Sequence, residues 1–102
     1  MLFHLSMTHR VEDCPGYNQK TIPGLITAVE QLDKTAQQFH VKVHFWLDGL
    51  PEHVMYALLE ANDPSSIAFF MASFPLRQDV KITPVERMQD VAAKAKPIFT
   101  QR

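Results

Sequence analysis

Histidine supplies most of the chemistry open to this chain. It has five imidazoles, against one thiol, Cys14, and one indole, Trp46. Imidazole titrates near physiological pH, so a well-placed histidine serves as a general base, and its lone pair also binds transition metals. In Leu2-Phe3-His4-Leu5-Ser6-Met7-Thr8 the odd positions are apolar, and His4, Ser6 and Thr8 oppose them. In His40-Val41-Lys42-Val43-His44-Phe45-Trp46-Leu47 the odd positions are again apolar, with His40, Lys42, His44 and Trp46 on the other face. Such alternation is the period of a half-buried strand. One face packs on a core. The other gathers imidazoles, an indole and a lysine, a set suited to a half-wet cavity or an interface.

Several elements must position these residues. After the first strand an irregular stretch from His9 to Lys20 holds Cys14-Pro15-Gly16-Tyr17-Asn18, and a connection that long in a small domain is often functional or mobile. Ile22, Leu25, Ile26, Val29, Leu32, Ala36 and Phe39 then recur at three- and four-residue spacing, predicting one amphipathic helix of about 17 residues. The second strand turns at Asp48-Gly49-Leu50-Pro51 into a third, His53 to Glu60. Asp63 and Pro64 are a helix cap and first-turn proline, and Ile67, Phe70, Met71 and Phe74 give that helix its buried stripe. A fourth strand is expected from Gln78 to Ile82. Thr83-Pro84-Val85-Glu86 then reads as a capping box that opens a last helix, with Val85, Met88, Val91, Ala92 and Ala95 inward and Asp90 paired with Lys94 outward.

Strand, helix, strand, strand, helix, strand is the ferredoxin-like split βαβ order, here followed by a terminal helix. Right-handed crossovers give an α+β domain over residues 1–102, with an antiparallel sheet in the order 4-1-3-2 and both crossover helices on one face. The other face is left uncovered, which predicts association face to face with a second copy. Placing Leu47 opposite His53 across the hairpin pairs His44 with Tyr56 and His40 with Glu60. The expected lining of the uncovered face is then His4, Ser6, Thr8, His44, Trp46, Tyr56, Leu58, Glu60 and Lys81, with Thr83 turned the same way.

Three uses of that lining stay open. In an enzyme pocket, His4 or His44 is the base, Tyr56 or Lys81 steadies an enolate or phenolate, and Trp46 and Leu58 hold a flat organic molecule beside Ser6. In a metal site, His4, His9 and His44 are ligands, with Cys14 or Glu60 completing the set, although no pair has the tight spacing of metal motifs. In a plain dimer interface, the histidines hydrogen-bond across the seam. Cys14 lacks the helix N-terminus or firm basic neighbour of a reactive thiolate and reads as a semi-exposed thiol. His53, after Pro51-Glu52, reads as a solvated turn residue, and Tyr17 and Asn18 as a lid over the pocket mouth.

Composition narrows the partners. The net charge is −1, with ten basic residues against eleven acidic and no basic run, which argues against nucleic acid and against an anionic membrane surface. No apolar run approaches the roughly 20 residues of a membrane span, and no signal peptide is expected. A single cysteine excludes an internal disulfide and fits a reducing cytoplasm.

The chain resembles the dimeric α+β barrel superfamily. Within it, the chain is similar to a family of short bacterial proteins of unknown function, through Met1-Leu2-Phe3-His4 to Met7-Thr8-His9, Cys14-Pro15, Tyr17, Val41-Lys42-Val43-His44-Phe45, Pro51-Glu52-His53 with Tyr56, Leu58-Leu59-Glu60-Ala61, and Pro75 to Val85. Met1-Leu2-Phe3-His4, together with Phe74-Pro75-Leu76 leading to Ile82-Thr83-Pro84, also resembles the muconolactone isomerases, although Arg77-Gln78-Asp79 replaces their apolar, proline-containing segment. The resemblance implies a homodimer enclosing a small-molecule pocket. For the isomerases it implies proton transfer within a small lactone without metal or organic cofactor. Other members are monooxygenases, haem peroxidases, cyclases, stress-induced proteins and a nickel-binding branch, and fold alone does not select among these.

Overall fold

The computed structural model describes residues 1–100. Strand β1 runs Leu2–Thr8, and single 3-10 turns at Val11–Asp13 and Gln19–Thr21 punctuate the connection that follows it. Helices α1 (Ile22–Glu30) and α2 (Leu32–Gln38) lead into the hairpin of β2 (Lys42–Gly49) and β3 (Val54–Glu60). Helix α3 (Pro64–Ser73), strand β4 (Asp79–Val85) and helix α4 (Met88–Phe99) complete the chain. The sheet order is β2-β3-β1-β4, and β1 lies antiparallel to both β3 and β4. This is the predicted order.

Hydrophobic alternation sets the layers. Phe3, Leu5 and Met7 of β1 and Ala57 and Leu59 of β3 are wholly buried beneath the helices, where Ile67, Phe70 and Met71 of α3 and Ala36 of α2 meet them. Asp63 caps α3 by accepting from the Ser66 N–H at 2.8 Å, and Pro64 occupies the first turn, where its missing N–H costs nothing. Helix α2 ends with His40 at φ 59°. His40 N–H donates to Gln37 O at 3.0 Å and Val41 N–H to Ala36 O at 2.9 Å, a Schellman closure that buries Val41 against Ala36. The hairpin needs a small residue at Gly49, where a Cβ would lie 3.1 Å from Val54 O.

Five expectations are corrected. The predicted single helix breaks at Gln31, whose φ −101° and ψ 14° interrupt it between α1 and α2. Strand β4 continues to Val85 and takes in Pro84, because β4 is an edge strand with one side free of ladder partners, where proline is tolerated. The capping box at Thr83 is therefore unused, and α4 starts at Met88. Nor does α4 bury an inward stripe: Met88 is 72% exposed and Val91 39%, and none of its residues is buried. Lys94 bonds Glu86 at 2.8 Å rather than pairing with Asp90. With α4 standing off the core, the radius of gyration is 16.7 Å. A compact chain of this length would have about 13 Å.

Candidate functional site

Register decides what the uncovered face carries. Across β1 and β3, His4 pairs with Leu58, Ser6 with Tyr56 and Leu2 with Glu60. Across β1 and β4, Ser6 pairs with Lys81 and His4 with Thr83. His4, Ser6, Tyr56, Leu58, Glu60 and Lys81 thus share the face opposite α1, α2 and α3, as expected. The His4 and Tyr56 rings lie 6.2 Å apart between centroids and are tilted by 36°.

Strand β2 departs from the expected pairing. Lys42 pairs with Glu60 and Val43 with Leu59, then the register shifts and Phe45 pairs with Leu58, leaving His44 in a β-bulge. One extra residue inverts the alternation beyond it. Phe45 and Leu47, not Trp46, therefore face the open side with Tyr56 and Leu58, and both are exposed. Trp46 is corrected to the helix side. Its indole stacks on Phe74 at 5.1 Å, meets Phe70 edge-on at 6.2 Å, and donates its N–H to Met55 Sδ at 3.4 Å. Burial explains the choice, since the largest apolar ring of β2 gains most by entering the core.

The bulge also gives His44 its partner. His44 Nε2 lies 2.7 Å from Glu60 Oε1, the histidine side chain mostly buried and the carboxylate about half exposed. That hydrogen bond holds the Glu60 carboxyl below the usual carboxylate range, partly offset by desolvation, while the His44, Lys42 and amino-terminal charges add to it. An ionised carboxylate only accepts, so Nε2 carries the proton, and in the neutral ring Nδ1 is left as a free base. Beside this pair, a recess of about 580 Å³ is bounded by Leu2, Glu60 and Val85 of the sheet and by Asp90, Val91 and Lys94 of α4.

The expected metal set does not assemble. His4 and His44 lie on the open face, and His44 is engaged by Glu60. His9 lies beyond the far end of β1, about 16 Å from His4 at the strand rise. What His9 does meet is His53. Its Nε2 is 3.2 Å from His53 Nδ1, the rings cross edge to face at 5.1 Å, and His9 N–H donates to His53 O at 3.2 Å. One donor atom each from His9, His53 and Cys14 lies within 4.8 Å of the others. His53 is thus no solvated turn residue, and Cys14 is not isolated. The signal was the β1–β3 register: one step past Thr8 opposite Val54, His9 falls opposite His53.

This cluster edges a cavity of about 790 Å³ on the helix side, walled by Tyr17, Leu25, Trp46, Leu50, Phe74 and Leu76. The long connection from β1 therefore walls a cavity, but one on the face opposite His4 and His44.

An antiparallel four-stranded sheet with α1, α2 and α3 on one face and a histidine–carboxylate pair on the other defines an α+β protein of the ferredoxin-like class. The chain belongs to the family described as a domain of unknown function, DUF3303, whose model it matches over residues 1–99. In fold it is similar to the crystal structure of muconolactone isomerase, with 17% sequence identity and a TM-score of 0.56, over 85% of this chain and 90% of that one. No curated protein sequence matches it. Among the described residues, no helix is long and apolar enough to cross a membrane.

Proposed function

We propose that the chain binds a small, partly aromatic or anionic organic molecule on its uncovered sheet face, enclosed by a second copy packed face to face, and moves a proton within it. The observation that carries this reading is the His44–Glu60 hydrogen bond of 2.7 Å on the face opposite α1, α2 and α3, beside the recess that α4 bounds. Glu60 orients the imidazole and leaves Nδ1 as the general base, a role that contributes roughly 10²–10⁴-fold in rate. Tyr56 and Lys81, which flank Ser6 from the two neighbouring strands, are the oxyanion partners. Leu58 and the exposed Phe45 offer apolar surface to a flat molecule, and His4, beside the Tyr56 ring, is the second proton-carrying group. The fold likeness to an isomerase supports the reading without naming the substrate.

The test is deuterium wash-in. Small lactones and enolisable keto acids, muconolactone among them, are incubated with the protein in D2O and followed by proton NMR. Protein-dependent exchange that falls at least about a hundredfold in His44→Ala supports the reading. Unchanged exchange in that variant, or exchange with none of the compounds, overturns it. Sedimentation of the untagged protein as a monomer removes the enclosed interior.

A further inference from the structure

We propose that His9, Cys14 and His53 form a binding site for a divalent transition-metal ion, with a fourth coordination position facing the helix-side cavity. The site lies apart from the His44–Glu60 face and does not depend on the function proposed for it.

Donor type is the first argument. Two imidazoles and one thiol make a nitrogen–sulfur set that suits Zn2+ or Co2+ and disfavours Mg2+ or Ca2+, which take oxygen ligands. Spacing is the second. A tetrahedral zinc ion with Zn–N bonds near 2.0–2.1 Å sets its nitrogen ligands about 3.3 Å apart. His9 Nε2 and His53 Nδ1 stand 3.2 Å apart, so an ion can replace the proton they share. One donor atom from each of the three residues already lies within 4.8 Å of the others. Binding requires the thiolate, so the Cys14 proton is released to solvent as the ion enters.

The β2–β3 turn places His53, and the neighbouring cavity sets what the fourth position meets. His53 is held at φ 59°, a left-handed conformation in which glycine would be unstrained. The same angle at His40 is accounted for by the end of α2, and that at His53 by the β2–β3 turn, closed by the Glu52 N–H donating to Gly49 O at 2.8 Å. The fourth position faces a cavity walled by Tyr17, Trp46, Phe74 and Leu76, so a small organic or water ligand on the ion would sit against aromatic and aliphatic surface. Three protein ligands with one open position is how receptive, rather than purely structural, zinc sites are built.

Co2+ added to the full-length untagged chain is the test. The expected result is one ion bound per chain, a thiolate-to-cobalt charge-transfer absorption, and displacement of Co2+ by stoichiometric Zn2+. Cys14 is the only thiol in the chain, so the absorption in the wild-type protein by itself assigns that ligand. His53→Gly removes an imidazole while relieving the backbone, so it keeps the fold and should lower affinity by more than the roughly 10–100-fold lost with an outer-shell partner. Cys14→Ser should abolish the absorption, and His40→Ala should leave both readouts unchanged. Co2+ binding without the absorption, no binding at stoichiometric concentration, or wild-type affinity in His53→Gly overturns the proposal.

Discussion

His44 Nε2 and Glu60 Oε1 stand 2.7 Å apart across a β-bulge that shifts the pairing of β2 with β3. With Glu60 ionised, the neutral imidazole carries its proton on Nε2. Nitrogen-15 NMR of the side chain in its neutral form is expected to show that single tautomer in the wild-type protein. Glu60→Ala should give a mixture of tautomers. A wild-type ring protonated on Nδ1 alone would refute the assignment of the free base.

Acid should weaken the fold through two carboxylates. The Glu60 carboxyl is lowered chiefly by its hydrogen bond to His44, and that of Asp63 by the Ser66 backbone N–H and then by the Ser66 and Ser65 side chains. A group whose folded pKa lies below its unfolded value binds fewer protons folded than unfolded as it titrates. Its contribution is therefore present above the unfolded pKa and is lost as the pH falls through the folded one. Thermal midpoints measured from pH 7 to pH 3 should stay nearly level from these two groups until about pH 4 and decline below it. The decline should be shallower in Glu60→Gln.

The two faces of the sheet should respond differently to substitution. Phe3 is wholly buried against the helices, so Phe3→Ala should cost about 3–5 kcal/mol in denaturant unfolding. Leu47 is 58% exposed on the open face, so Leu47→Asp should leave the stability of the isolated subunit within about 0.5 kcal/mol. The same substitution should weaken the face-to-face association proposed above, read by sedimentation velocity across a dilution series. A dimer of undiminished affinity in Leu47→Asp would place the contact elsewhere.

Helix α3 depends on its cap. Asp63→Ala removes the acceptor for the Ser66 N–H and should lower the thermal midpoint by a few degrees, whereas Asp63→Asn, which can still accept, should lower it less. Equal losses in the two variants would show that charge, rather than the hydrogen bond, is what matters there.

The strand order, the buried faces of β1 and β3 and the cap of α3 were legible in the residues themselves, because each rests on a local period or a local hydrogen bond. Phe3, Leu5 and Met7 alternate with His4, Ser6 and Thr8, and Asp63-Pro64 is a helix start wherever the chain goes next. The side to which Trp46 turns was not legible. Val43-His44-Phe45-Trp46-Leu47 is apolar on both faces beyond the histidine, so alternation carries no information there, and the bulge at His44 was settled by how an indole packs against Phe70 and Phe74. Pro84 and Val85 likewise look like a helix start until the edge position of β4 makes a proline acceptable in the strand. The pairing of His9 with His53 joins residues 44 positions apart. Composition and periodicity thus decided which residue types face which layer, since those depend on near neighbours in the chain. Only the tertiary structure decided which of them meet, because a register between strands is a property of two segments at once.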